Sequence, residues 1–156
     1  MDAAPPRRSL TWRRAVRRNY GRPVSVEADI RALVTGWVDA VAARDLDGMV
    51  AHHAEDIVMF DVPPPHQGVR GLAEYRDSWG PFFDWQRGTD GIFELVELNV
   101  EAGADVAFAY ALLRCGPPAD FEANPDSRLR VTMGLKKVGD GWVIAHEHHS
   151  FPMIDD

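Results

Sequence analysis

The chain has 156 residues, 46% of them hydrophobic and 26% charged, with a net charge of −7 and one cysteine. That length fits one domain with a core of its own, and no apolar run is long enough to span a bilayer or to serve as a secretory core after the N-terminus. Cys115 on its own excludes an intramolecular disulfide and a multi-cysteine metal site, and a reducing cytoplasm is the simplest expected compartment.

The charge is unevenly spread. Residues 1–22 hold seven arginines and one acid, Asp2, for +6, which leaves −13 on the rest. An acidic body argues against nucleic-acid binding by the domain itself. In the basic tail, residues 1–24, Trp12, Val16 and Tyr20 recur every four residues among the arginines. A short basic amphipathic helix would have that spacing, and a flexible tail is the competing reading.

The domain proper is expected over residues 25–156. Ser25 can cap a helix in which Ile30, Leu33, Val34, Trp37, Val38 and Val41 follow the i, i+3, i+4, i+7 pattern. Asp45 predicts the cap of a second, shorter helix with Leu46, Met49, Val50 and His53 on one side. Ile57 to Asp61 reads as a strand stopped by Pro63, Pro64 and Pro65. A third helix carries Leu72, Tyr75, Trp79, Phe82 and Phe83, and Gly80-Pro81 should kink it or end it early. From Gly91 the period changes to two, through strands around Ile92–Glu101, Val106–Cys115, Leu129–Leu135 and Gly141–Ser150. The loop 116–126, rich in proline and acid, is expected to be exposed, and Gly139-Asp140-Gly141 signals a hairpin. Helices first and a long antiparallel sheet second make an α+β order.

Arg44 to Gly48, Ile57 to Asp61 and Asp140 to Trp142 running on to His148-His149-Ser150, in this order, resemble the nuclear transport factor 2-like superfamily, in its SnoaL-like and ketosteroid-isomerase-like branch. The resemblance covers about residues 26–152. It implies a cone-shaped roll, in which a strongly curved, mainly antiparallel sheet wraps three N-terminal helices around an apolar pocket. It also implies a homodimer formed through the outer face of the sheet. The family hosts isomerases, cyclases, hydrolases, dehydratases and non-catalytic modules, so individual positions must carry the functional argument.

Asp61 stands where ketosteroid isomerases keep a proton-shuttling aspartate. Proton movement beside a carbonyl needs such a carboxylate in apolar surroundings, which Phe60, Val62 and the prolines supply. The competing role for Asp61 is to hydrogen-bond the proline turn. The oxyanion partners depart from the family pattern. Trp37 stands at the first-helix position of its key tyrosine, Trp79 and His53 where supporting tyrosines would be, and Val131 or a neighbour where a second, protonated aspartate would be. Tyr110, on the Val106, Phe108, Tyr110, Leu112, Arg114 face, is a candidate for the missing hydroxyl. These five residues are the expected substrate-binding set, with core packing the alternative for each aromatic.

Strict alternation puts Trp142, Ile144, His146 and His148 on one face of the last strand and Val143, Ala145, Glu147 and His149 on the other. By the resemblance, Glu147 and His149 line the pocket and join Asp61 as acid, base or anion anchor, while the other face meets the dimer partner. No metal site is expected: His146 and His148 could offer two ligands, but no third has suitable spacing. Cys115 reads as a strand residue rather than a nucleophile.

The expected function is a small cofactor-free enzyme that uses Asp61, buried near the floor of the pocket, as acid and base to isomerise, cyclise or dehydrate a small apolar carbonyl compound. The alternative is a non-catalytic binding or assembly module. The last strand also resembles that of the calcium/calmodulin-kinase association domain, but Leu112 and His149 stand where two of that domain's pocket arginines would be. Water addition, as in epoxide-opening relatives, is a third reading and would need a second carboxylate and an inward Arg114.

Overall fold

The structure, a computed structural model, describes residues 24–153. The basic tail expected over residues 1–24 lies outside the described residues except for Val24, which falls in the first helix. Helix α1 (Val24–Ala43) is followed by α2 (Leu46–Val50), strands β1 (His53–Phe60) and β2 (Val69–Arg70), and helix α3 (Leu72–Thr89). The second half comprises β3 (Ile92–Ala102), β4 (Val106–Gly116), the short α4 (Pro118–Ala123), β5 (Leu129–Val138) and β6 (Gly141–Ser150). Six strands form one curved, open sheet in the order β2-β1-β6-β5-β4-β3. Every pairing is antiparallel except β1 with β6. This is the expected mixed α+β architecture. Among the described residues no helix is long and apolar enough to cross a membrane.

Helix α1 buries Ile30, Val34, Trp37, Val38 and Val41 and lies against β3. Helix α3 lies against β1 and β2. On β4 the alternation is clean: Ala107, Ala109, Ala111 and Leu113 face the core, while Val106, Phe108 and Tyr110 face outward. Gly68, at φ +81°, turns the chain back over β1, and a Cβ there would lie 2.6 Å from the Met59 carbonyl oxygen. Only glycine fits that backbone and that approach.

Several local expectations are corrected. Ser25 falls within the span of α1. Asp45 does cap α2 by accepting from the Gly48 N–H at 3.0 Å, but His53 opens β1 instead of extending that helix. Helix α3 continues through Pro81 to Thr89. Gly80, lacking a Cβ, removes the usual clash ahead of a proline. Burial of Tyr75, Trp79, Phe83 and Gln86 on both sides of the break offsets the lost hydrogen bond. Within the loop 116–126, α4 forms and buries Phe121.

The last strand departs most from strict alternation. Gly134 pairs with His146 and Leu135 with Ile144, so Ala145 is an extra, bulged residue. The bulge resets the parity. Trp142 and Ile144 before it and Glu147 and His149 after it are all buried, so only His146 and His148 keep the outward position expected for four residues.

Candidate functional site

A pocket of about 540 Å³ opens between α3, the end of β1 and the chain around α4. Trp79, Phe82, Trp85, Phe93, Leu129 and Phe151 make its walls largely apolar. The helical stripe of α3 supplies three of these rings, and Phe93 on β3 packs edge-on against Phe82 and Trp37. Asp61, His149, Asp120 and Cys115 bring ionisable groups to the lining.

Parallel pairing explains how they meet. Phe60, the last residue of β1, pairs with His148, so the next residue, Asp61, falls beside His149. His149 Nδ1 is 3.2 Å from Asp61 Oδ1, which also accepts from the Val62 N–H at 2.7 Å. On its other side, His149 Nε2 is 3.0 Å from Glu147 Oε2. Glu147 is fully buried, and its Oε1 accepts from Tyr75 Oη at 2.9 Å and meets His53 Nε2 at 2.6 Å. Trp37 Nε1 donates to Tyr75 Oη at 3.1 Å, completing the buried string. Each Glu147 oxygen therefore has a partner, as a buried carboxylate requires.

These contacts determine the charges. Burial pushes the Glu147 carboxyl up, but hydrogen bonds from His149 and His53, and their positive charge, prevail and bring it down to about 2. Burial likewise opposes a charge on His149, yet its bonds to Asp61 and Glu147 raise it to about 9. His149 is thus an imidazolium held between two carboxylates. Burial, then the Glu147 charge, keeps Tyr75 a phenol well above its ordinary range. Cys115 also lines the pocket, and burial with the nearby Asp61 charge pushes its thiol up to about 12. It stays protonated there and is no ready nucleophile.

The structure brings Asp61, His149, Glu147, His53, Trp37 and Trp79 together, sets Val131 in the core next to His149, and separates Tyr110 from them. Asp61 is not at a sealed floor: its side chain is 27% exposed, and the fully buried acid is Glu147. Trp37 touches the rings of Trp79 and His149 at about 6 Å, but its N–H is taken by Tyr75. His53 lies beyond Glu147, stacked on Tyr75 at 4.5 Å between centroids, and does not line this pocket. Val131 pairs with His149 across the sheet and is buried in the core. Tyr110 is a correction: it points to the outer face, 47% exposed and stacked on Phe108, because inward positions on β4 have the other parity. Tyr75 was read only as a member of the α3 apolar stripe. Its hydroxyl meets Glu147 across 72 residues, a pairing that no local spacing signals. Among the described residues no group of three or more His, Cys, Asp or Glu side chains is arranged to hold a metal.

The sequence profile of the SnoaL-like domain matches residues 30–154. Of solved structures, a nuclear transport factor 2-like protein of unknown function from Pseudomonas putida is 34% identical, with 86% of this chain and 92% of that one covered and a TM-score of 0.71. A ketosteroid isomerase-like protein from Erwinia carotovora is 20% identical over 82% of this chain and 97% of its own, with a TM-score of 0.61. A domain of unknown function with a cystatin-like fold from Nostoc punctiforme is 18% identical over 84% and 80%, with a TM-score of 0.67. No curated protein sequence matches the chain. With a family profile spanning most of its length and a relative sharing a third of its residues, this chain belongs to the SnoaL-like family of the nuclear transport factor 2-like superfamily.

Proposed function

We propose that the chain is a cofactor-free acid–base enzyme that moves a proton on a small, largely apolar carbonyl compound. One observation carries this reading: a hydrogen-bonded Asp61–His149–Glu147 string ends on the wall of a roomy aromatic pocket. Both contacts to Asp61 use Oδ1, so Oδ2 is the oxygen to meet substrate. With an unsaturated ketone it would take the proton alpha to the carbonyl and return it to the gamma carbon at the far end of the dienolate, moving the double bond into conjugation and giving isomerisation. Delivery of a proton to a departing hydroxide would instead give dehydration. Attack of the enolate on a second carbonyl would give cyclisation. His149 holds the carboxylate in place, and its positive charge stabilises the developing enolate electrostatically. Glu147 orients His149, and Trp79, Phe82 and Trp85 supply the apolar seat.

A second reading, a non-catalytic small-molecule-binding module, is favoured by a different observation. The Trp37 N–H, Tyr75 hydroxyl and Ser78 hydroxyl all donate to protein acceptors, so none is free for a substrate oxyanion. Deuterium exchange separates the two. Cyclic ketones and enones incubated in heavy water should exchange their alpha protons with wild type and not with Asp61→Asn. Ligand binding without exchange by either protein would favour the module.

The outer face of the sheet suits self-association. Phe60, Val106, Phe108 and Tyr110 are each at least 40% exposed there. A homodimer through this face would cover them.

A further inference from the structure

The charges around the Asp61 pocket are lopsided. Besides Asp61, just after β1, the lining holds a second carboxyl group, Asp120, exposed on α4. No lysine or arginine lines the pocket among the described residues. Arg114, next to the lining residue Cys115, is engaged elsewhere: it bonds Glu94 at 3.2 Å and lies 4.4 Å from the centre of the Phe121 ring. The positive charge on the lining is that of His149, which stands between Asp61 and Glu147. Those two carboxyl groups outweigh it, and Asp120 adds to the negative side.

Hydrogen-bond donors are scarce on the same lining. His149 spends both ring nitrogens on carboxyl oxygens, and Ser78 spends its hydroxyl proton on the Tyr75 carbonyl at 2.7 Å. Pro63, Pro81 and Pro117 have no N–H to give. The Trp79 N–H is buried without accessible surface. The side-chain donors left are the Trp85 indole and the Cys115 thiol, both neutral and the second weak. Acceptors are better supplied: Asp61 Oδ2, the Asp120 carboxyl group and the Ser78 oxygen. The other walls are aromatic. Phe82 lies 5.4 Å from Trp79, 5.3 Å from Trp85 and 5.8 Å from Phe93, at interplanar angles from 40° to 84°, so ring faces turn in several directions. Such faces attract an organic cation and repel an anion.

We propose that the substrate of this pocket carries a positively charged amine or quaternary ammonium group, held against the aromatic wall with Asp120 as its counter-charge, while its carbonyl end meets Asp61. The inference rests on this pocket being the substrate site of the enzyme proposed above, and it adds the substrate class. An exposed carboxylate contributes little alone, so the rings supply most of the attraction and Asp120 adds to it.

The test uses the full chain, with tryptophan indole N–H signals followed by NMR. Four unreactive probes are titrated: cyclohexylamine, cyclohexyltrimethylammonium, cyclohexanol and cyclohexanecarboxylate. Both cations should shift the Trp79 and Trp85 signals saturably and leave Trp142 unmoved. Their Kd should lie about fivefold or more below that of cyclohexanol, with the carboxylate the weakest binder. Asp120→Asn, checked for folding by circular dichroism, should bring the amine-to-alcohol affinity ratio closer to one. Added salt should narrow the ratio in wild type, because an exposed carboxylate is screened. The proposal is overturned if cyclohexanol or the carboxylate binds as tightly as the cations, or if the cations leave Trp79 and Trp85 unmoved. It is also overturned if folded Asp120→Asn keeps the full preference, or if salt leaves the preference unchanged. No probe is a ketone, so the result does not depend on turnover. Absence of alpha-proton exchange on every ketone would overturn the acid–base reading and leave the cation preference standing on its own binding data.

Discussion

Glu147→Gln would expose how much the buried string contributes. In the wild type, His149 is raised from 6.5 to about 9, so its stabilisation is complete below pH 6.5 and is lost as the pH rises through about 9. Glu147 is lowered from 4.5 to about 2, so its contribution is complete above pH 4.5 and is lost as the pH falls through about 2. Stability from this network is therefore greatest between pH 4.5 and 6.5. At about 1.4 kcal/mol per unit, the alkaline loss is on the order of 3 kcal/mol, and burial of both groups shields it from solvent screening. The two shifts describe one shared interaction and do not add. A glutamine that keeps its carbonyl oxygen towards Tyr75 and His53 turns its amide N–H towards His149 Nε2, donor against donor. His149 must then shed that proton, and only Asp61 continues to favour its charge. The variant should be less stable at pH 6 by about 3 kcal/mol, with a shallower decline towards pH 9. Urea denaturation followed by tryptophan fluorescence across that range measures both effects, and the His149 Cε1 proton signal reports its titration directly. A wild type equally stable at both ends of that range, or a His149 titrating at its ordinary value, would refute the reasoning.

Asp61→Asn should lower alpha-proton exchange by about a hundredfold or more while leaving the fold intact, read by the same NMR assay with circular dichroism as the control. If the outer face mediates the proposed self-association, Phe108→Glu should abolish it, seen by light scattering after gel filtration, while the fold is kept. Gly68→Ala meets both a positive φ and a 2.6 Å approach to the Met59 carbonyl, so it should lose about 2 kcal/mol or more in urea denaturation. An alanine variant as stable as wild type would mean that this turn relaxes freely.

The α+β order was legible because each half of the chain keeps its own period: 3.6 in α1 and α3, two in β4 and β5. Tertiary packing overrode the local signals elsewhere. Gly80-Pro81 predicts a kink or an early end of α3, and the early end does not occur: four buried side chains hold the helix through Pro81 to Thr89. A helix seemed to extend to His53, but the backbone there joins the sheet, with the His52 carbonyl accepting from the Ile144 N–H. In β6 a single residue, Ala145, accounts for the error. The alternation rule is sound on either side of it, and the bulge shifts its phase between them. Without that extra residue the strand could not bury both Ile144 and Glu147, three positions apart.

The same bulge is what makes the site possible. It lets one short strand pack Trp142 and Ile144 into the core and then direct Glu147 and His149 into the string that ends at Asp61. The residues of that string come from α1, β1 and the residue after it, α3 and β6, and every bond except the one between His149 and Glu147, both on β6, spans elements that only the fold brings together. A buried carboxylate with two imidazoles and a phenol is costly unless every partner is in place. Position 145 thus bears on the candidate site although it does not line the pocket. Deleting Ala145 would turn either the Trp142 and Ile144 pair or the Glu147 and His149 pair to the outside. Loss of cooperative unfolding in that deletion, against retention in Ala145→Ser, would separate the strand's register from the side chain it carries there.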